Sequence, residues 1–194
     1  MKNKTLIIAI LSGVILFAFK SAPEATLSVD TAATTIKWTG YHLAKSYEHF
    51  GNIQVKSGSI EANKGAITGG EIVIDMNSIS NSDLEGGKKA KLEGHLKSED
   101  FFAVEQFPEA KLAITGSESK GDNVYTTTAD LTIRGITKSI TFETTVKESS
   151  KSKIVASAVI MVERTQFEVM YGWKVENAVL GGEFKLEVDI TASK

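Results

Sequence analysis

The chain has 194 residues, 22 Lys+Arg against 24 Asp+Glu, 42% hydrophobic residues, two prolines and no cysteine, which fits one ordinary globular domain with room for an appendage. A net charge of −2 argues against a nucleic-acid surface, which needs a basic excess to recruit phosphates. Without cysteine there is no disulfide, no thiolate nucleophile and no Cys-ligated zinc.

The first segment has the three-part layout of a secretory signal: Lys2 and Lys4, an apolar run from Leu6 to Phe19, then small residues around Ser21, Ala22 and Ala25. The 14-residue run is shorter than the roughly 20 residues that span a bilayer as a helix. Residues 1–22 are therefore expected to be a cleaved signal peptide, with the cleavage point open, and residues 23–194 a single exported domain, periplasmic or secreted. An uncleaved tether is the alternative. No cysteine follows the run to carry a lipid anchor. Cleavage after Ala22 removes Lys2, Lys4 and Lys20 and no acid, moving the net charge from −2 to −5. That balance disfavours anionic polymers and anionic bilayer surfaces.

From about Ala25 the hydrophobic period is two. Ile36, Trp38 and Gly40 alternate with Lys37 and Thr39, Ile72, Ile74 and Met76 with Glu71 and Asp75, and Phe184, Leu186, Val188 and Ile190 with charged or polar neighbours. Such alternation marks strands with one wet face. Further strands are expected over 52–56, 59–62, 111–115, 124–133, 139–147 and 153–163. Gly58, Gly65, Gly69-Gly70, Gly116, Gly121-Asp122 and Gly181-Gly182 read as turns between them. Eight or nine strands in close succession without a βαβ rhythm imply an all-β antiparallel barrel or sandwich.

Between Asp83 and Phe102 β-branched residues vanish. Leu92 and Leu96, four apart, predict a short helix near residues 86–97, followed by Phe101-Phe102. It either lids a barrel mouth or simply seals the barrel end. The strand 153–163 is nearly apolar on both faces: Ile154, Ala156, Ala158, Ile160 and Val162 on one, Val155, Ser157, Val159 and Met161 on the other. Its outer face is covered, by another element or by a second copy in a homodimer, or the strand is central in a sandwich.

No constellation here reads as a reaction centre. His42, His49 and His95 have no metal-ligand spacing, no Gly-x-Ser-x-Gly elbow occurs, and neither a phosphate loop nor a dinucleotide fingerprint is present. Ser98-Glu99-Asp100 is turn chemistry. Arg134 and Arg164 are the only arginines, suited to tying loop carbonyls together or to meeting a ligand head group. Gly135 permits a tight turn between two strands.

The strings Gly94-His95-Leu96-Lys97-Ser98-Glu99-Asp100-Phe101-Phe102, Phe107-Pro108-Glu109-Ala110, Leu131-Thr132-Ile133-Arg134-Gly135-Ile136-Thr137 and Arg164-Thr165-Gln166-Phe167, in this order, resemble the YceI-like family. The resemblance spans essentially the whole chain after the signal. Two departures stand out: Thr34-Thr35 occupies the place of a frequent His-Ser pair, and Gln166 and Glu168 replace the acid and the glycine of an Arg-x-Asp-Phe-Gly motif. The resemblance implies an extended eight-stranded, lipocalin-like antiparallel barrel holding a polyisoprenoid or other long-chain amphiphile non-covalently; together with the motifs and charge read above, no cofactor, no metal, no catalytic residues and no nucleic-acid partner are expected.

An isoprenoid tail offers almost no hydrogen bonds, so affinity must come from apolar burial at about 25 cal/mol per Å². The residues expected to line such a channel are Trp38, Phe50, Ile53, Ile72, Ile74, Met76, Leu92, Phe101, Phe102, Leu112, Ile114, Leu131, Phe142, Met161 and Phe167. His95, Arg134 and Arg164 are candidates for a head-group or structural role. Two other readings stay open: a structural module with a packed barrel and a dimer interface, and an enzyme bringing His95, Asp100 and Arg134 together on a lipid-like substrate.

Overall fold

The computed structural model describes residues 22–43, 46–170 and 180–194. The expected signal segment lies outside them, save for Ala22. The elements in chain order are β1 (Ala25–Val29), β2 (Thr35–His42), β3 (Glu48–Asn63), β4 (Ala66–Asn81), α1 (Gly86–Lys97), β5 (Glu109–Gly121), β6 (Val124–Ile133), β7 (Ile136–Ser149), β8 (Lys153–Glu163), a 3-10 turn (Arg164–Phe167) and β9 (Leu180–Ser193).

All pairings are antiparallel, and β3–β4 contact closes the order β3-β2-β9-β8-β7-β6-β5-β4 into an eight-stranded barrel. The remaining strand, β1, adds no new stave. β1 pairs with the far end of β3 (Ala25 with Ala62) and with the end of β9 (Ser28 with Ser193), so β1 and β2 share one slot between β3 and β9. The break between them is capped by Asp30, whose carboxylate accepts from the amides of Ala32 and Ala33, an Asx-type turn.

Three hairpins turn through two residues that both carry positive φ: Lys64-Gly65, Asp122-Asn123 and Arg134-Gly135. This backbone matches the right-handed strand twist. Several glycines expected to be turns instead lie inside long strands. Gly58 is in the middle of β3, which runs unbroken through both segments expected to be separate strands, and Gly70 is within β4 at φ +130. A Cβ at Gly58 would stand 2.8 Å from the Glu71 carbonyl oxygen, and one at Gly70 2.2 Å from that of Ser59. These glycines allow two bulged strands to approach closely where the barrel wall bends.

The barrel interior is the core. Leu27, Ile154, Ala129, Ala156 and Ala192 are fully buried. The helix forms where expected and crosses the pole at which β4 ends and β5 begins. Glu93 Oε1 accepts the Asn81 amide at 2.8 Å, tying it to β4. Ser98 ends the helix by directing its hydroxyl and amide to the His95 carbonyl. Among the described residues no other element covers the outer face of β8, and the strand is a barrel stave rather than the centre of a sandwich. Its inner face is core, while Val159 and Met161 on the outer face are 56% and 41% exposed. Val159 is flanked by Glu143 and Glu187, and Met161 is opposite Lys185, so long charged side chains border the apolar stripe.

Candidate functional site

The barrel is not filled. A cavity of about 390 Å³ lies under α1, walled by Ile36, Trp38 and Gly40 of β2, Ile53 of β3, Ile74, Met76 and Ile79 of β4, Leu131 and Ile133 of β6 and Phe184 and Leu186 of β9. Leu92, His95 and Leu96 of the helix, with Phe101 and Phe102 behind it, form its roof. A second, smaller space of about 60 Å³ continues the interior and shares Ile36, Ile74, Leu131 and Leu186 with the first. Ile72, Leu112, Ile114 and Phe142 line this deeper part. Phe101, Phe184, Leu186 and Phe142 are only half-buried although they point inward, because the side chains that would cover them in a packed core are missing.

The roof is built from aromatic edges. Phe101 meets His95 at 5.7 Å and Phe102 at 4.9 Å between ring centroids, and Phe102 meets Phe184 at 6.4 Å, all edge-on. Trp38 buries its ring in the wall and donates Nε1–H to the Ser80 carbonyl at 3.1 Å, leaving no polar atom unmet. Burial holds the His95 imidazole below its ordinary value, against the opposing pull of Asp100.

The polar groups collect at the pole. Tyr41, His42, His49, Arg164 and Glu183 reach the lining there. Asp83 anchors this end: it accepts from the Phe50 amide (2.9 Å), from Asn81 Nδ2 and from His49 Nδ1 (2.7 Å). Burial alone would raise its carboxyl, but those hydrogen bonds outweigh it and hold it below the ordinary aspartate value. Buried Asn81 completes the knot, giving Nδ2–H to the Phe50 carbonyl and accepting the Leu84 amide.

Twelve of the fifteen residues expected to line a channel do line one of these two spaces. Three do not. Phe50 lies on the outer face, where Lys37 Nζ sits 4.9 Å from its ring centroid. Met161 points outward from β8, and Phe167 is buried at 1% exposure in the 3-10 turn, as core. The two arginines differ. Arg164 is buried, lines the cavity, and donates to the carbonyls of Gly181 and Val169 at 2.8 Å each, while desolvation lowers its pKa. Arg134 does not line the cavity; its Nη1 donates to the carbonyls of Glu99 (3.0 Å) and Phe101. His95 faces the cavity, whereas Asp100 is exposed and Arg134 is spent on loop carbonyls, so the trio required for an enzyme does not share one lining. The mouth residues Tyr41, His42, His49 and Glu183 were not expected; the hairpin partnership of β2 and β3, which places Gly40 opposite His49, was the available signal. Among the described residues no cluster of side chains could hold a metal ion, and no helix is long and apolar enough to cross a membrane.

A closed eight-stranded antiparallel barrel with an apolar cavity beneath one helix is a lipocalin-like architecture. The YceI-like domain pattern matches residues 27–192. The chain belongs to the YceI-like family. A UPF0312 protein of Pseudomonas putida strain F1 is 28% identical over 130 residues, 67% of this chain and 65% of that protein, so the chain matches just under two thirds of that relative's length. A UPF0312 protein of Pseudomonas fluorescens is 30% identical over 116 residues, 60% of this chain and 58% of that one. Among solved structures, Burkholderia cenocepacia BcnA superposes with a TM-score of 0.71 at 17% identity, covering 85% of this chain and 99% of that chain. A polyisoprenoid-binding domain from Saccharophagus degradans gives 0.62 at 13%, covering 86% and 97%. At these identities the likeness is one of fold.

Proposed function

We propose that this chain is an exported, periplasmic binding or carrier protein that holds a long-chain isoprenoid or related amphiphilic lipid in its barrel, without chemistry of its own. The observation that carries this reading is the unfilled interior: a roofed cavity of about 390 Å³ with an almost wholly apolar wall that continues into a deeper apolar space. A tail of C20 to C40 would bury several hundred Å² there, on the order of 10 kcal/mol before ordering costs. The polyisoprenoid-binding description of the Saccharophagus domain supports the same ligand class, and the basic-apolar-small leader supports export. A module whose barrel is only a scaffold would gain nothing by leaving its core unpacked.

Native mass spectrometry of the purified protein, before and after organic extraction, tests the reading. One long-chain lipid per barrel, removed by extraction and restored on incubation, is the expected result. A barrel that carries no lipid and takes up no offered quinone, prenol or fatty acid would overturn it.

A further inference from the structure

The His49–Asp83 pair has a defined polarity. Asp83 Oδ1 already accepts from the Phe50 amide and from Asn81 Nδ2, and Oδ2 lies 2.7 Å from His49 Nδ1. A carboxylate only accepts. The ring proton must therefore sit on Nδ1, and in the neutral imidazole Nε2 carries a lone pair. The depressed pKa of Asp83 keeps that carboxylate ionised and the arrangement in place.

His49 stands on the inward-facing parity of β3, opposite Gly40, and both line the cavity. Among the described residues, the hydrogen bond of its side chain is the one to Asp83. The rings of Tyr47 and His42 lie edge-on to it, at 4.7 and 6.4 Å between centroids, and hold it from the side. The nearby cation is differently placed, because the Arg164 guanidinium gives hydrogen bonds to two backbone carbonyls.

We propose that His49 is the head-group contact of the cavity, and that it accepts a hydrogen bond, so that the barrel prefers long-chain ligands ending in a hydroxyl to those ending in an ether or carbonyl. An O–H directed at Nε2 satisfies both atoms, whereas an ether or quinone oxygen brings a second lone pair against the first. Asp83 is the positioning residue that fixes the tautomer. The inference rests on the lipid-holding reading above and adds a chemical preference to it.

The test compares geranylgeraniol with its methyl ether, which share a tail, by titration calorimetry at pH 8 on extracted protein. Wild type is expected to bind the alcohol about 3- to 10-fold more tightly. His49→Leu is expected to bind both with the affinity wild type has for the ether, and Asp83→Asn to show a reduced preference. Because the wild-type comparison varies only the probe, it does not depend on any variant folding. Equal affinity of wild type for the two probes, or a preference that survives in His49→Leu, overturns the role of His49 while leaving the cavity reading intact. Failure of both probes to bind overturns both.

Discussion

Arg134 Nη1 donates to the carbonyl oxygen of Phe101, and with the second bond to Glu99 it clasps the segment that follows α1 to the β6–β7 turn. The same residue occupies the first position of that turn at φ +52. Replacing it with Ala keeps the backbone penalty of a side chain in the left-handed region but deletes the clasp. Arg134→Ala is expected to lose about 1 to 2 kcal/mol in denaturant unfolding and to speed ligand release, because Phe101 belongs to the cavity roof. Arg134→Gly should recover about 1 kcal/mol of the stability through its freedom at positive φ but none of the slow release.

Gly40 offers a way to fill the cavity without disturbing its wall. It lines the space, its φ is ordinary, and a Cβ built there meets nothing within 4 Å. Gly40→Leu is expected to leave stability unchanged or raise it by up to about 1 kcal/mol, while weakening lipid binding at least tenfold. Thermal unfolding and the alcohol titration, run on the same sample, separate the two effects.

Two of the three expected lining positions that lie outside the cavity should behave as their places dictate. Phe167→Ala, at 1% exposure, is expected to cost about 3 to 5 kcal/mol by opening a void in packed core. Met161→Lys, on the outer stripe of β8, should change stability by no more than about 0.5 kcal/mol. Neither should alter which lipids are retained, as read by mass spectrometry of the extracted ligand.

His95 predicts a pH dependence. Burial lowers its pKa in the folded barrel, whereas the unfolded chain takes up the same proton near 6.5. Between the folded value and about 6.5 the unfolded state binds more protons, so stability rises with pH across that window and levels off above it. His95→Phe is expected to flatten this segment of the profile, measured by urea unfolding from pH 4.5 to 8. The imidazole resonance should titrate below 6.5 in the empty barrel and lower still when lipid fills the cavity.

The staves, the helix and most of the cavity wall were legible in the sequence because a strand with one wet face writes its inside and outside in alternate residues. Phe184, Leu186, Val188 and Ile190 of β9 all point where their parity says. Parity fails where both faces are apolar: Met161 had the chemistry of a lining residue but the odd register of β8. Phe167 looked like lining because a buried aromatic in packed core and one against an empty space have the same local sequence. Glycine was misleading for a different reason. The residue that permits a turn also permits close strand approach, and only the partner strand, as at Gly58 against Glu71, decides between them. The Asp83 knot joins residues more than thirty positions apart, beyond the reach of any local pattern. Glu168 was legible as a departure from the motif that the resemblance implies, and its φ of +55 is the left-handed conformation that glycine adopts without a side-chain penalty.

The slot shared by β1 and β2 also orients the molecule. Ala25 enters beside Ala62, at the far end of β3, and Ser28 meets Ser193 at the far end of β9, whereas His42, His49 and Leu180 stand at the opposite pole. Along β3 the separation between Ala62 and His49 is a strand contour of about 40 Å. A barrel immobilised by a tag fused ahead of β1 or beyond β9 would hold its cavity facing away from the surface that anchors it.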